Sequence, residues 1–263
     1  MTEPLVLRSD ADDVATLTLN APERLNALSD GMLAALAQAF TAIAAEERTR
    51  VVILRGAGKA FCAGHDLREM QAARQSADGG LAAFEDLFAR CAAVMQQILR
   101  LPQPVIAEVH GIATAAGCQL VASCDMAVAA EGTRFGVNGV NIGLFCSTPM
   151  IALTRNLPRK AAFEMLTTGA FIDARRAETL GLVNRVVAPA DLGAETRALA
   201  GVVAGKLGAA VRIGKRAFYD QIEMPVADAY AHAGRVMVEN MMLRDTSEGI
   251  AAFLEKRAPD WKA

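Results

Sequence analysis

The chain has 263 residues, 53% of them hydrophobic and 21% charged, with a net charge of −2. That length allows one large domain or one domain with an appendage, and that composition fills a compact core and hints at surface buried against other subunits. The near balance of charge removes any general electrostatic case for nucleic acid or an anionic membrane, and no apolar run reaches the roughly 18 residues of a spanning helix.

Residues 14–20 alternate in polarity through Thr16, Leu17, Thr18 and Leu19, as a half-buried strand does. Ser29 and Asp30 are placed to cap a helix running to about Glu47, with Met32, Leu33, Leu36, Phe40 and Ile43 on one face. Residues 51–55 read as a short buried strand, and 56–64 as a glycine-containing loop. The next helix spans about 80–100 and stops at Leu101-Pro102-Gln103-Pro104. Residues 104–109 read as another buried strand, followed by Gly111 and a helix of small residues. Residues 125–130 and the shorter 133–137 read as strands. From Thr148 the pattern is mostly helical, punctuated by Pro158, Gly169, a strand at 182–187 and Pro189. Residues from 191 onward read as three helices without an obvious core of their own, expected to pack on the main body or on a neighbouring subunit. Strands separated by helices suggest right-handed strand–strand–helix units around a common core.

Cys62, Cys91, Cys118, Cys124 and Cys146 are scattered, with no C-x-x-C pair. They read as reduced thiols of an intracellular protein, not as a disulfide frame or zinc site. The first ten residues show neither a signal-peptide nor a transit-peptide pattern, so the cytoplasm is the expected location.

Two segments are suited to hold one oxyanion. Gly58-Lys59-Ala60-Phe61-Cys62-Ala63-Gly64-His65-Asp66-Leu67 and His110-Gly111-Ile112-Ala113-Thr114-Ala115-Ala116-Gly117-Cys118-Gln119-Leu120 each follow a strand-like run. Each uses small residues where backbone must approach a ligand. Gly64 allows an unusual φ before His65, and residues 115–117 open a helix whose first N–H groups lack intrahelical partners.

Together these segments resemble the crotonase (enoyl-CoA hydratase/isomerase) family, whose members stabilise a thioester enolate with two peptide N–H groups. The likeness extends to Pro22-Glu23-Arg24-Leu25-Asn26-Ala27-Leu28, Ser123-Cys124-Asp125, Ile142-Gly143-Leu144 and the stretch from Glu248 to Arg257, and so covers essentially the whole chain. It implies an α/β fold: a spiral of strand–strand–helix turns with a C-terminal helical trimerisation region. The implied division is a crotonase core over 1–190, binding acyl-CoA, and a helical oligomerisation region over 191–263, assembling as a homotrimer or a dimer of trimers. The resemblance makes His65 and Ala116 the two backbone donors, although the family usually shows Gly-Gly-Gly at 115–117. It places Ala63, His65, Asp66, Leu67 and Arg68 along an acyl-CoA channel and Arg24 near the nucleotide end. Phe253 and Lys256 would approach CoA, often from an adjacent subunit. Coenzyme A is then part of the substrate, with no separate cofactor and no metal.

Hydration of a 2-enoyl thioester needs a base for water and an acid for Cα, usually carboxyl groups worth roughly 10²–10⁴ each in rate. The resemblance puts the two hydratase glutamates at Gln119 and Gly139, and an acid of isomerases and dehalogenases at Ser147. None carries a carboxyl group, and Gln orients a water without taking its proton. Should the scaffold keep the family's geometry, glutamate at 119 and 139 is expected to restore hydration. Several chemistries stay open. One is a lyase or isomerase of weak or divergent activity; another is a silent acyl-CoA binder. A third is an acyl-CoA hydrolase using Ser147, Cys146 or His65. The His65 imidazole suits acid–base work, or else points away and leaves only its backbone in use. Ser147-Thr148-Pro149 also reads as a helix start, with Thr148 at the N-cap and Pro149 at the first helical position. Glu69 and Glu108 are the nearest remaining acids by sequence. Cys62 and Cys118 read as packing residues, and His110 as a turn residue. RNA is not an expected partner, since the helices from 191 carry no lysine run.

Overall fold

The computed structural model describes residues 3–261, so the last residues at each end of the two expected regions, 1–2 and 262–263, lie outside the described residues. The chain opens with a hairpin of β1 (Val6–Ala11) and β2 (Val14–Leu19), turning through Asp12 and Asp13 with φ of 51° and 61°. Asp tolerates this left-handed backbone better than most residues do, and a two-residue turn of this hand matches strand twist. Most of β1 is exposed and its sequence does not alternate, which is why its pattern gives no strand signal. After α1 (Asp30–Ala44) come β3 (Val51–Gly56), α2 (Leu67–Ala73) and α3 (Leu81–Arg100). Next are β4 (Val105–Val109), β5 (Ile112–Thr114), α4 (Ala116–Ser123), β6 (Met126–Ala130) and β7 (Arg134–Gly136). Then follow α5 (Pro149–Asn156), α6 (Arg159–Thr168), β8 (Ile172–Asp173), α7 (Ala174–Leu180) and β9 (Arg185–Val187). The chain ends in α8 (Leu192–Ala204), α9 (Gly208–Gln221), α10 (Val226–Met241) and α11 (Arg244–Leu254).

The larger sheet runs β1-β2-β3-β4-β6-β9, parallel from β2 onward, and β5-β7-β8 form a second, smaller sheet. One face of the large sheet buries Leu17, Leu54 and Ala107 with Phe40, Phe61 and Ile98 in the main core. The other buries Val51, Ile53, Ile106 and Val128 against Leu192 and Ala200 of α8. Burial on both faces explains why β3 and β4 read as continuous apolar runs. Ser29 caps α1 through its hydroxyl to Met32 N (3.2 Å), and the five apolar residues expected on its inner face are all buried.

Several expectations change. The first helix stops at Ala44, not about Glu47, and the strand expected over 182–187 shrinks to Arg185–Val187. The segment from 191 holds four helices, not three, and the first of them packs on the sheet. Short loops at 205–207, 222–225 and 242–243 separate them; Gly205 and Pro225 mark the first two junctions, whereas Met242-Leu243 carries no breaker, so that boundary does not show in pattern alone. Lys215 roots α9 in the body: its buried Nζ donates to Ile98 O (2.8 Å), Gln103 O (3.0 Å) and Asp125 Oδ2 (2.7 Å). In contrast, α10 buries no residue and leaves Val226, Tyr230, Met237 and Met241 exposed. No helix among the described residues is long and apolar enough to cross a membrane.

Candidate functional site

The two small-residue segments lie side by side. Phe61 N and Cys62 N donate to Ile112 O (3.1 and 3.2 Å), and Thr114 N donates back to Cys62 O (3.1 Å). Glycine is required twice at this seam. A methyl at Gly117 would stand 2.2 Å from Cys62 O, and Gly64, at φ +90°, would place one 3.3 Å from Ala116 N. His65 N, one peptide beyond Gly64, and Ala116 N, at the first position of α4, donate to no acceptor among the described residues. Two unpaired N–H groups therefore flank one close approach, and the start of α4 adds its positive helix end.

Polar side chains hold this geometry. Asn26, fully buried in a left-handed turn, accepts from Ala21 N (2.9 Å) and donates to Ala57 O and Ala60 O (2.8 Å each). Leu28 N donates to Gly64 O (2.7 Å) and Ala63 N to Leu25 O (3.0 Å), stitching residues 22–28 to the first segment. On the other side Thr114 Oγ1 donates to Asn138 Oδ1 (2.6 Å), and Ala115 N donates to Gly136 O (2.9 Å). Ala115 itself sits at φ 50°, ψ −121°, a conformation natural to glycine and strained for alanine. The roles of Asn26, Thr114 and Asn138 have no local signature, because their partners are up to 34 residues away.

The candidate residues fall into distinct groups. Gln119, on α4, is buried with its side-chain oxygen unpartnered. Gly139 is closed off: a methyl there would meet Leu144 O at 2.3 Å and Cys146 Sγ at 2.8 Å. A carboxylate side chain there requires residues 144–146 to shift, which sets a steric obstacle to the glutamates expected to restore hydration at 119 and 139. Ser147 is exposed, and among the described residues its hydroxyl donates to Phe145 O (3.4 Å) and bonds no histidine or carboxylate. Thr148 stands ahead of Pro149, but in helical backbone and without a side-chain cap bond, so the hydroxyl cap expected of it is absent. Burial raises the Cys146 thiol and pushes Cys62 and Cys118 up to about 12, which leaves all three protonated at neutral pH.

The His65 ring packs edge-on to Phe88 (5.7 Å), and both its nitrogens are buried without partners. Burial lowers its pKa, opposed by the Leu28 carbonyl and Asp30. Neither remaining acid enters the site. Glu69 accepts from Asp30 N (2.8 Å) at the start of α1. Glu108 shares the sheet face of Ile106, turned toward α8, with Arg55 Nη1 at 3.8 Å. Asp66 caps α2 through Arg68 N (2.9 Å) and pairs with Arg24 (3.0 Å), drawing Arg24 to this rim. Leu67 and Arg68 are exposed beside it. Phe253 projects from α11 at 81% exposed, and Lys256 follows it in left-handed backbone. His110 Nε2 is 2.8 Å from Gly58 O, consistent with a turn residue, and His232 Nε2 lies 3.9 Å from Asp220.

A family model described as enoyl-CoA hydratase/isomerase matches residues 10–263. The chain is 43% identical over 258 residues to enoyl-CoA hydratase domain-containing protein 3, mitochondrial, of Xenopus laevis, covering 98% of this chain and 86% of the relative. Among solved structures it resembles an enoyl-CoA hydratase of Mycobacterium smegmatis (57% identity, TM-score 0.95, 99% and 100% of the two chains). It also resembles human enoyl-CoA hydratase domain-containing protein 3 (42% identity, TM-score 0.93, 98% and 100%).

Proposed function

The chain belongs to the enoyl-CoA hydratase/isomerase family, and on that premise we propose that it is an enzyme acting on acyl-CoA or enoyl-CoA thioesters. The carbonyl oxygen would lie between the N–H groups of His65 and Ala116. The single observation behind this reading is the contact of Gly64 with Ala115 and Ala116, which leaves both donors free beside one seam. Two donors aimed at a developing oxyanion in a dry site contribute several kcal/mol to the barrier, each roughly 3 kcal/mol by deletion.

With Gln119, Gly139 and Ser147 where carboxyl groups would serve, the usual acid–base pair is missing, and we infer a lyase or isomerase of weak or divergent activity. Coenzyme A enters as part of the substrate. Arg24, Ala63, Asp66, Leu67 and Arg68 line the approach, and Phe253 and Lys256 contribute from a neighbouring subunit. The apolar surface of α10 and α11 supports a homotrimer or a dimer of trimers. The cytoplasm is our proposed location; the mitochondrial location in the names of vertebrate relatives weighs against it.

A second reading, a silent acyl-CoA binder, is favoured by the closure of Gly139. Nucleophilic hydrolysis has less support, because Ser147 bonds no histidine or carboxylate among the described residues and the Cys146 thiol is held protonated. Product analysis with short- and medium-chain acyl- and enoyl-CoA thioesters at high protein concentration tests the main reading. Binding without any product selects the silent binder, and ligand at a hundred times Kd then stabilises the fold by about 2.7 kcal/mol.

A further inference from the structure

The last turn of α3 and the facing side of α9 enclose a cavity of about 530 Å³. It is remote from the seam of small residues: Phe88, the ring neighbour of His65, lies on the same helix as Arg100 but roughly 18 Å away along its axis. Three guanidinium groups, of Arg100, Arg212 and Arg216, line the cavity with one acid, Asp220. Arg216 pairs with Glu239 (3.2 Å), and Asp220 has His232 Nε2 at 3.9 Å. Arg100 and Arg212 pair with no carboxylate among the described residues. Arg100 donates to Gln96 Oε1 (3.0 Å). Arg212 Nη2 is fixed by Glu46 O (3.1 Å), Glu47 O (2.7 Å) and Thr49 O (3.3 Å), which leaves Nε and Nη1 without an acceptor among the described residues. A guanidinium held in this way loses little freedom on meeting an anion. Leu99, Pro102 and Ile213 make part of the wall apolar. Tyr219 adds its ring, its hydroxyl being engaged by Asp125 Oδ1 (2.9 Å). Small-molecule sites span roughly 300–1,000 Å³, and unpaired cations beside an apolar wall suit a ligand anionic at one end and apolar at the other.

We propose that this cavity binds a small aliphatic carboxylate, its charged end between Arg100 and Arg212 and its chain against Leu99, Ile213 and the Tyr219 ring. The site is separate from the thioester seam and does not depend on the acyl-CoA reading. Inorganic phosphate would answer the cations but leave the apolar wall wet, and an alcohol of the same length would do the reverse. Only a carboxylate with a chain uses both halves of the lining.

Titration calorimetry of the full chain with octanoate, 1-octanol and inorganic phosphate tests it, each with and without excess butyryl-CoA. Octanoate should bind at least about tenfold more tightly than either control, since a charge-assisted hydrogen bond and the burial of the chain each contribute that much. Its affinity should be unchanged by butyryl-CoA. Arg100→Gln, at an exposed position, should weaken it about tenfold or more, with Arg216→Gln as the second variant should the first not fold. No binding of octanoate, or equal binding of octanol or phosphate, overturns the proposal. So does displacement by butyryl-CoA, which would put octanoate in the thioester site, or full affinity in the folded variants. None of these results bears on the acyl-CoA reading, which product analysis tests separately.

Discussion

Gly64 and Ala116 meet so closely that a methyl at position 64 would stand 3.3 Å from the amide nitrogen at 116, and 3.0 Å from Ala115 Cβ. This approach of two backbones 52 residues apart sets the unpaired N–H groups of His65 and Ala116 beside one seam, as the proposed oxygen site requires. Gly64→Ala should cost about 1–3 kcal/mol, from φ of +90° and crowding. It should also weaken acyl-CoA binding by about tenfold or more, since a displaced donor loses its bond. Urea unfolding and calorimetry check the two effects; native affinity in the folded variant would argue against the seam as the oxygen site.

Ala115 carries backbone strain at φ 50°, ψ −121°. Ala115→Gly should relieve it and raise stability by about 1 kcal/mol, the strain released exceeding the added chain entropy of glycine. A higher urea midpoint at unchanged slope is the expected observation. A lower midpoint would mean that neighbouring contacts, not strain, set the energy of this turn.

Gly139→Glu should destabilise the fold by about 2 kcal/mol or more, because its Cβ would meet the Leu144 carbonyl oxygen, a backbone atom that cannot swing aside. Combined with Gln119→Glu it should therefore add no crotonyl-CoA hydration. A stable double variant with new hydratase activity would show that residues 139–146 repack more easily than their contacts indicate.

His65 is held neutral by burial, its folded pKa lying below the usual 6.5. The unfolded chain then binds more protons between the folded and unfolded values, so stability rises with pH across that interval. Acidification below about pH 6.5 should destabilise the protein, by at most about 1.4 kcal/mol per pH unit from this one ring. His65→Gln should flatten that slope while keeping the backbone N–H, so its effect on thioester binding separates ring from peptide. An unchanged acid limb in the variant would assign the dependence elsewhere.

Lys215 and Asp125 form a buried pair, with Tyr219 OH donating to the second carboxylate oxygen (2.9 Å). Lys215→Met should cost about 3–5 kcal/mol, since it strands the carboxylate and two backbone carbonyls. Thermal unfolding would register this as a large drop in midpoint; a small one would mean that water replaces the ammonium.

The sequence by itself determined the elements whose signals are local. These include the capped face of α1, the paired small-residue segments, and the lack of a carboxyl group at 119, 139 and 147. Each follows from side-chain identity and spacing within a few residues. Tertiary structure alone decided what distant segments do to one another. It closed Gly139 with Leu144 and Cys146, set Asn138 on Thr114, turned Glu108 toward α8, and used α8 to cover the sheet's second face. These outcomes depend on excluded volume and on buried polar groups finding partners far along the chain, and such constraints exist only once the segments have packed.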